Sequence, residues 1–379
     1  MKELGIYVHI PFCKQKCSYC DFLSFANKEK WIKEYITCLQ KEIQHISLKE
    51  KQVTTIYIGG GTPSYLSVEE IKPILKELKE KIKVKNDDSI EWSIEVNPGT
   101  VSKEKLEWYK KMGINRLSIG LQETDDKLLE KIGRIHTYED FEKTYQLASR
   151  IGFSNINVDL IIGIPGQTIE HVKESLRKIT QLKKIKHISI YSLIVEENTK
   201  MQEMVERGKW VLPSEEEERK MYWYAKRELE KQGFVHYEIS NFAKPGYQSK
   251  HNENCWKQKE YIGVGLGAHS YQNQMRYSNT NHMEEYIRKL EKNDFSITQV
   301  HEIQTKEDKE KEYMLLGLRR LEGISIQKFK QKFASNPLYL FRRELDRLIK
   351  KGLLEVTLDH ILLTDKGLDL ANLVWEEFV

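Results

Sequence analysis

From residue 5 to about residue 195, short runs of Val, Ile and Tyr alternate with longer stretches whose apolar residues recur at helical spacing. Six runs have strand length and end near Gly, Pro or Asn: 5–10, 54–59, 89–96, 116–120, 157–162 and 187–193. Helical patterns fill the gaps at 31–46, 67–82, 103–112, 138–151 and 168–182, the last opening on Thr168 with an acid in its first turn. Strand followed by helix, repeated six times, predicts an α/β fold with a parallel sheet, open or curled into part of a barrel.

Beyond residue 195 the rhythm changes. Ser214 with Glu217 has the spacing of a capping box and starts a helix through residue 232. A strand-like 235–239 follows, then the segment 251–256 and the glycine-rich Gly263-Val264-Gly265-Leu266-Gly267. That run lacks the preceding strand and downstream acid of a dinucleotide fingerprint, so it reads as a close-packed turn. From about 305 the pattern is mostly helical, and 342–374 runs helix, strand, turn, strand, helix, which resembles a small winged-helix module. The expected organisation is therefore a barrel unit over 1–205, an extension completing the core over 206–304, and a C-terminal module over 305–379.

Composition narrows the setting. The chain is 39% hydrophobic and 31% charged, with a formal net charge of only +4, which gives no nucleic-acid footprint. Glu344, Asp346 and Glu355 dilute the basic residues of the winged-helix-like module, so no nucleic-acid partner is expected. No apolar run reaches membrane-spanning length, and the N-terminus has no export signal. Five cysteines in 379 residues read as a reduced, cytoplasmic chain rather than a disulfide framework.

Three of those cysteines, Cys13, Cys17 and Cys20, form C-x3-C-x2-C directly after the first strand. A cubane iron–sulfur cluster normally takes four cysteines, so three leave one iron open to a non-protein ligand. A zinc site is the alternative; it needs a fourth ligand, for which His9 would have to fold back. Loops after the next strands are equally unusual: Gly59-Gly60-Gly61-Thr62-Pro63-Ser64, Glu95-Val96-Asn97-Pro98-Gly99-Thr100 and Gly120-Leu121-Gln122-Glu123-Thr124. Ligands in parallel α/β folds gather at the C-terminal ends of the strands, so these loops predict one shared site. Read singly, Glu95 or Asp159 would pass for a helix cap and Arg134 for a surface cation.

The cysteine spacing resembles the radical S-adenosylmethionine superfamily. That resemblance implies a partial, three-quarter β/α barrel holding a [4Fe–4S] cluster on Cys13, Cys17 and Cys20, with S-adenosylmethionine on the open iron. Tyr7-Val8-His9-Ile10-Pro11-Phe12, the GGGTPS loop, Glu95–Pro98, the stretch from Asn157 to Thr168 and Tyr237–Ala243 are similar to the oxygen-independent coproporphyrinogen III oxidase group. This narrower likeness implies S-adenosylmethionine contacts at Tyr7, Gly60, Gly61, Thr62, Glu95, Gln122, Arg134 and Asp159, with Tyr19 near the adenine. Oxidases of that group resemble C-x3-C-x2-C-x-C and carry a longer N-terminal arm. Here Phe22 stands where the extra cysteine would be, and twelve residues precede Cys13. Both features match the HemW-type haem-chaperone branch, which implies binding of haem and its delivery to acceptor haemoproteins, respiratory and membrane-associated ones included. The electron donor is unknown. Oxidative decarboxylation of coproporphyrinogen III and radical chemistry on an unrelated substrate are the alternatives. The branch also has an H-N-x-x-Y-W haem signature, read here as His251-Asn252-Glu253-Asn254-Cys255-Trp256, which makes His251 the candidate haem contact and leaves Cys255 as a second. Cys38, on a helical face, reads as a small buried hydrophobe.

Overall fold

In the computed structural model, which describes residues 1–82 and 89–379, the six expected strands form as β1 (Lys2–Ile10), β2 (Lys51–Gly60), β3 (Glu91–Val96), β4 (Arg116–Gln122), β5 (Ile156–Ile162) and β6 (Ile185–Ser192). They lie side by side in chain order, all parallel. Ile6, Val8 and Ile10 of β1 are fully buried against the surrounding helices, and each such side chain contributes about 1.5–3 kcal/mol by leaving water. The alternate residues Gly5, Tyr7 and His9 share the opposite face with Thr55, Tyr57, Glu95 and Asp159. That polar inner face is where the site is built.

The connecting helices are Ile32–His45, Val68–Ile82, Lys103–Met112, Tyr138–Ile151 and Ile169–Thr180. Their ends follow local chemistry. Ser102 accepts from the Lys105 amide, Thr137 and Asp140 form a reciprocal capping box, and Gly113 and Gly152 stop their helices in the left-handed region. The capping box at Ser214 and Glu217 is present and starts Glu215–Lys231.

Both edges of the parallel sheet are extended. Asn241–Ala243 and Val235–Glu238 add to β6 in antiparallel fashion, while Tyr261–Val264 adds parallel to β1, followed by His269–Gln272, Met275–Asn279 and Thr298–Ile303. The last four strands are not apparent in the sequence, because Tyr261–Val264 is four residues long and runs straight into the glycine turn. A strand does precede the run, contrary to the sequence reading, but the turn itself is there: Gly265 has φ +100° with the Tyr35 hydroxyl packed where a Cβ would stand.

The C-terminal residues have their own core around Phe329, Leu348, Ile361 and Val374. Helices Lys306–Gly317, Ile326–Phe333 and Arg342–Lys350 pack with a three-stranded antiparallel sheet formed by Ile324–Ser325, Leu354–Val356 and His360–Leu363. The single final helix expected from sequence is instead two, Asp365–Asp369 and Ala371–Trp375, because Leu370 leaves the helical region at φ −120°, ψ 35°. Among the described residues no helix is long and apolar enough to cross a membrane.

Candidate functional site: a three-cysteine centre at the mouth of the barrel

β1 delivers the chain to the cysteine loop, which is anchored from both sides. Phe12–Cys13 pairs with Phe25–Ala26 in a two-stranded ribbon. On the other side, the Ser18 amide donates to the Ile132 carbonyl at 2.9 Å and the Gln15 side chain to the Gly133 carbonyl at 3.0 Å. Those acceptors follow the short helix Asp126–Lys131, which the sequence pattern did not reveal and which Asp125 caps. Its Leu128 and Ile132 join a small apolar cluster under Tyr19. The loop is thus fixed by main-chain bonds as well as by its side chains.

Cys13, Cys17 and Cys20 line one cavity of about 450 Å³ together with Tyr19, Gly60, Gly61, Thr62, Glu95, Gln122, Arg134 and Asp159. Eleven of the thirteen residues singled out from sequence therefore converge. Tyr7 and His251 are the two that do not line it. Tyr7 lies one layer beneath, buried against Tyr57, with its hydroxyl on His9 Nδ1 at 2.9 Å. His251 lies deeper still, stacked with Tyr57 at a ring-centroid distance of 5.3 Å, its Nδ1 bonded to the Thr55 hydroxyl at 2.9 Å. It is 7% exposed, and burial lowers its pKa to about 4. Glu91 holds its helix, Lys250–Trp256, by accepting from the Lys250 and His251 amides.

The zinc alternative closes on geometry. His9 Nε2 donates to the Leu23 carbonyl at 2.8 Å, which makes Nδ1 the acceptor for Tyr7. Both ring nitrogens are engaged, so His9 offers no fourth ligand to the thiols. Cys255 does not line the cavity that the three thiols share. Cys38 is 1% exposed in the helix core, as expected.

Each remaining residue has an evident local task. Gly61 lets the second loop pass the first, because a Cβ there would meet Cys13 Sγ and the Phe12 carbonyl, both at 2.9 Å. Gly60 has φ +116°. Thr62 donates to Cys13 Sγ at 3.5 Å and accepts from Asn97 Nδ2 at 2.9 Å. Arg134 is no surface cation: its guanidinium donates to the Gly120 carbonyl at 2.6 Å, to Asn97 Oδ1 at 3.0 Å and to Cys17 Sγ at 3.6 Å. Glu95 caps no helix either; it accepts from the Tyr57 hydroxyl at 2.8 Å and the Gly60 amide at 3.2 Å. Burial, with Asp159 nearby, raises its pKa to about 7. Asp159 accepts from Asn157 and Ser118, and burial raises it as well. Sequence reading assigned no role to Asn97, the bridge between Thr62 and Arg134. Its position at a strand end was the available signal.

The donor set suits a sulfur-ligated cluster with one open position. Three thiols line the one cavity, Cys20 held up to about 11 by burial until a metal displaces its proton, while Thr62 and Arg134 supply hydrogen bonds to sulfur. Beside them the cavity presents a backbone cradle, two buried carboxyls and the buried, unpartnered Oε1 of Gln122. These groups match a cationic, amino-acid-bearing nucleoside.

Fold and site together define a radical S-adenosylmethionine protein. The radical SAM superfamily pattern matches residues 7–179, and the HemN C-terminal domain pattern matches residues 304–370. The chain is 39% identical over 375 residues to the heme chaperone HemW of Bacillus subtilis strain 168, spanning 98% of each. It is 32% identical over 394 residues to the heme chaperone HemW of Escherichia coli K12, spanning 100% of this chain and 99% of that one. Coproporphyrinogen III oxidase HemN from Escherichia coli, a radical SAM enzyme, superposes with a TM-score of 0.86 at 23% identity, over 100% of this chain and 90% of that one, a likeness of fold. The chain belongs to the HemW family of the radical SAM superfamily.

Proposed function

We propose that this protein is a cytoplasmic haem chaperone that binds haem and passes it to acceptor haemoproteins. The observation that carries the reading is the full-length likeness, at 39% identity over 98% of the chain, to a heme chaperone. Phe22, 65% exposed at the cavity mouth where the oxidase pattern has a fourth cysteine, supports it further.

Cys13, Cys17 and Cys20 would hold the [4Fe–4S] cluster, leaving one iron for the amino and carboxylate groups of S-adenosylmethionine. When bound, this pair supplies one-electron chemistry at the sulfonium. The chain's own residues do the positioning. The Gly60–Gly61 backbone admits the methionine ammonium at close range, Thr62 and Arg134 support the thiolates, and Glu95, Gln122 and Asp159 face the rest of the nucleoside. Tyr19 presents an aromatic surface beside them. Tyr7 contributes from the layer below, by orienting His9 and packing Tyr57.

The test is anaerobic reconstitution of the cluster followed by two assays on the same protein. Haem should bind and transfer to an apo-haemoprotein, and coproporphyrinogen III with S-adenosylmethionine should yield no protoporphyrinogen. Robust turnover of coproporphyrinogen would replace the chaperone reading with the oxidase one.

A further inference from the structure

Two sulfurs of the cysteine centre receive side-chain hydrogen bonds, Cys13 from the Thr62 hydroxyl at 3.5 Å and Cys17 from Arg134 at 3.6 Å. Asn97 stands between the two donors on the wall of the same cavity. Its Nδ2 lies 2.9 Å from the Thr62 hydroxyl and its Oδ1 3.0 Å from the Arg134 guanidinium. The main chain around it is pinned. The Asn97 amide donates to the Ser64 hydroxyl at 3.0 Å, and its carbonyl accepts from the Thr100 hydroxyl at 2.6 Å. Lys105, 8% exposed, ties these two loops together, donating to the Ser64 and Thr100 carbonyls at 2.9 and 2.8 Å. Gly120 keeps the approach to Arg134 clear, since a Cβ there would stand 3.2 Å from Asn97 Oδ1 and 3.3 Å from the guanidinium.

Counting donors then fixes the direction of every bond. A guanidinium only donates, so the Asn97 oxygen must face Arg134 and its NH2 must face Thr62. The Thr62 oxygen is thereby an acceptor from Asn97, and its single proton is left to point at Cys13 Sγ. A cluster-bound sulfur can only accept, so it suits that direction. Hydrogen bonds to cluster sulfurs raise the reduction potential, because they stabilise the added electron.

We propose that Asn97 is a positioning residue that relays the polarity of Arg134 to the Thr62 hydroxyl, so that one guanidinium governs hydrogen bonding at both Cys13 and Cys17. The inference rests on the [4Fe–4S] assignment of the three cysteines and is independent of what becomes of haem. Asn97→Asp tests it, because the carboxylate keeps the shape and the contact with Arg134 but has no N–H. It accepts from the Thr62 hydroxyl instead and draws that proton off Cys13. The reconstituted full chain is titrated anaerobically, with the reduced cluster followed by electron paramagnetic resonance. In the native background Thr62→Val should move the midpoint potential negative. In the Asn97→Asp background, itself more negative than native, Thr62→Val should move it no further. In deuterated buffer, the exchangeable-deuteron coupling that Thr62→Val removes should be missing from Asn97→Asp as well. Equal shifts from Thr62→Val in the two backgrounds, or no shift in the native one, overturn the relay. If Asn97→Asp takes up no iron, Asn97→Ala replaces it without adding charge; the Thr62→Val shift should shrink there too, and an undiminished shift overturns the proposal. Native protein that assembles no cluster overturns the cluster assignment itself, and this inference with it.

Discussion

Replacing Glu95 by Gln separates the cost of a buried charge from its use. Burial raises this carboxyl from its ordinary 4.5 to about 7. At about 1.4 kcal/mol per pH unit, ionising it disfavours the folded state by about 3 kcal/mol. The sign follows from the direction: the favourable contribution of the protonated acid is fully present below pH 4.5 and is lost as the pH rises through 7. Gln carries no such penalty at any pH. It does forfeit one contact, because Tyr57 O–H and Gly60 N–H both donate to Glu95 and an amide nitrogen cannot accept. That loss is worth about 1 kcal/mol. Glu95→Gln should therefore be about 1 kcal/mol less stable than wild type near pH 4.5 and about 2 kcal/mol more stable at pH 8.5. Urea denaturation of the metal-free protein at the two pH values, followed by circular dichroism, measures both. S-adenosylmethionine affinity at pH 8.5, measured by calorimetry after reconstitution, should fall in the variant that gained stability. An equal stability difference at the two pH values would refute the reasoning.

Other perturbations bear on the same architecture. Gly61→Ala places a methyl 2.9 Å from Cys13 Sγ and from a main-chain carbonyl that cannot move aside, so iron and sulfide content after reconstitution should drop sharply while the fold persists. Arg134→Lys keeps the charge but cannot reach Cys17, Asn97 and Gly120 together. The cluster's reduction potential should move negative in the redox titration; an unchanged potential would mean that this contact does not tune the sulfur. Arg319→Ala removes a guanidinium stacked between Trp256 at 5.1 Å and Trp375 at 3.9 Å. It should speed proteolysis of the C-terminal helices without altering iron content.

Much of this was legible in the residues because the fold is local in its logic. Each βα unit shows its period, and Cys13, Cys17 and Cys20 are neighbours in sequence as well as in space. Arg134 was less legible: its loop meets the cysteines only through the helix Asp126–Lys131, six residues whose apolar pair is too short to show a period. Asn97 and Tyr57 act through contacts between strands, which no window along the chain displays. His251 shows the limit of a motif. Its surroundings are Thr55 and Tyr57, almost two hundred residues away, and they enclose the imidazole that the motif would leave open.

The short helix Lys250–Trp256 touches two territories at once. His251 at its start packs under the ring that holds Glu95, and Trp256 at its end packs on Arg319. Arg319 belongs to a segment whose backbone pairs with the sheet, through Ile239 to Arg319 and Leu321 to Tyr237. A truncation just before residue 305 would strip that pairing, bare an indole and loosen the floor under the cofactor cavity. A shortened chain that fails to hold its cluster would therefore say nothing about whether the missing module handles haem.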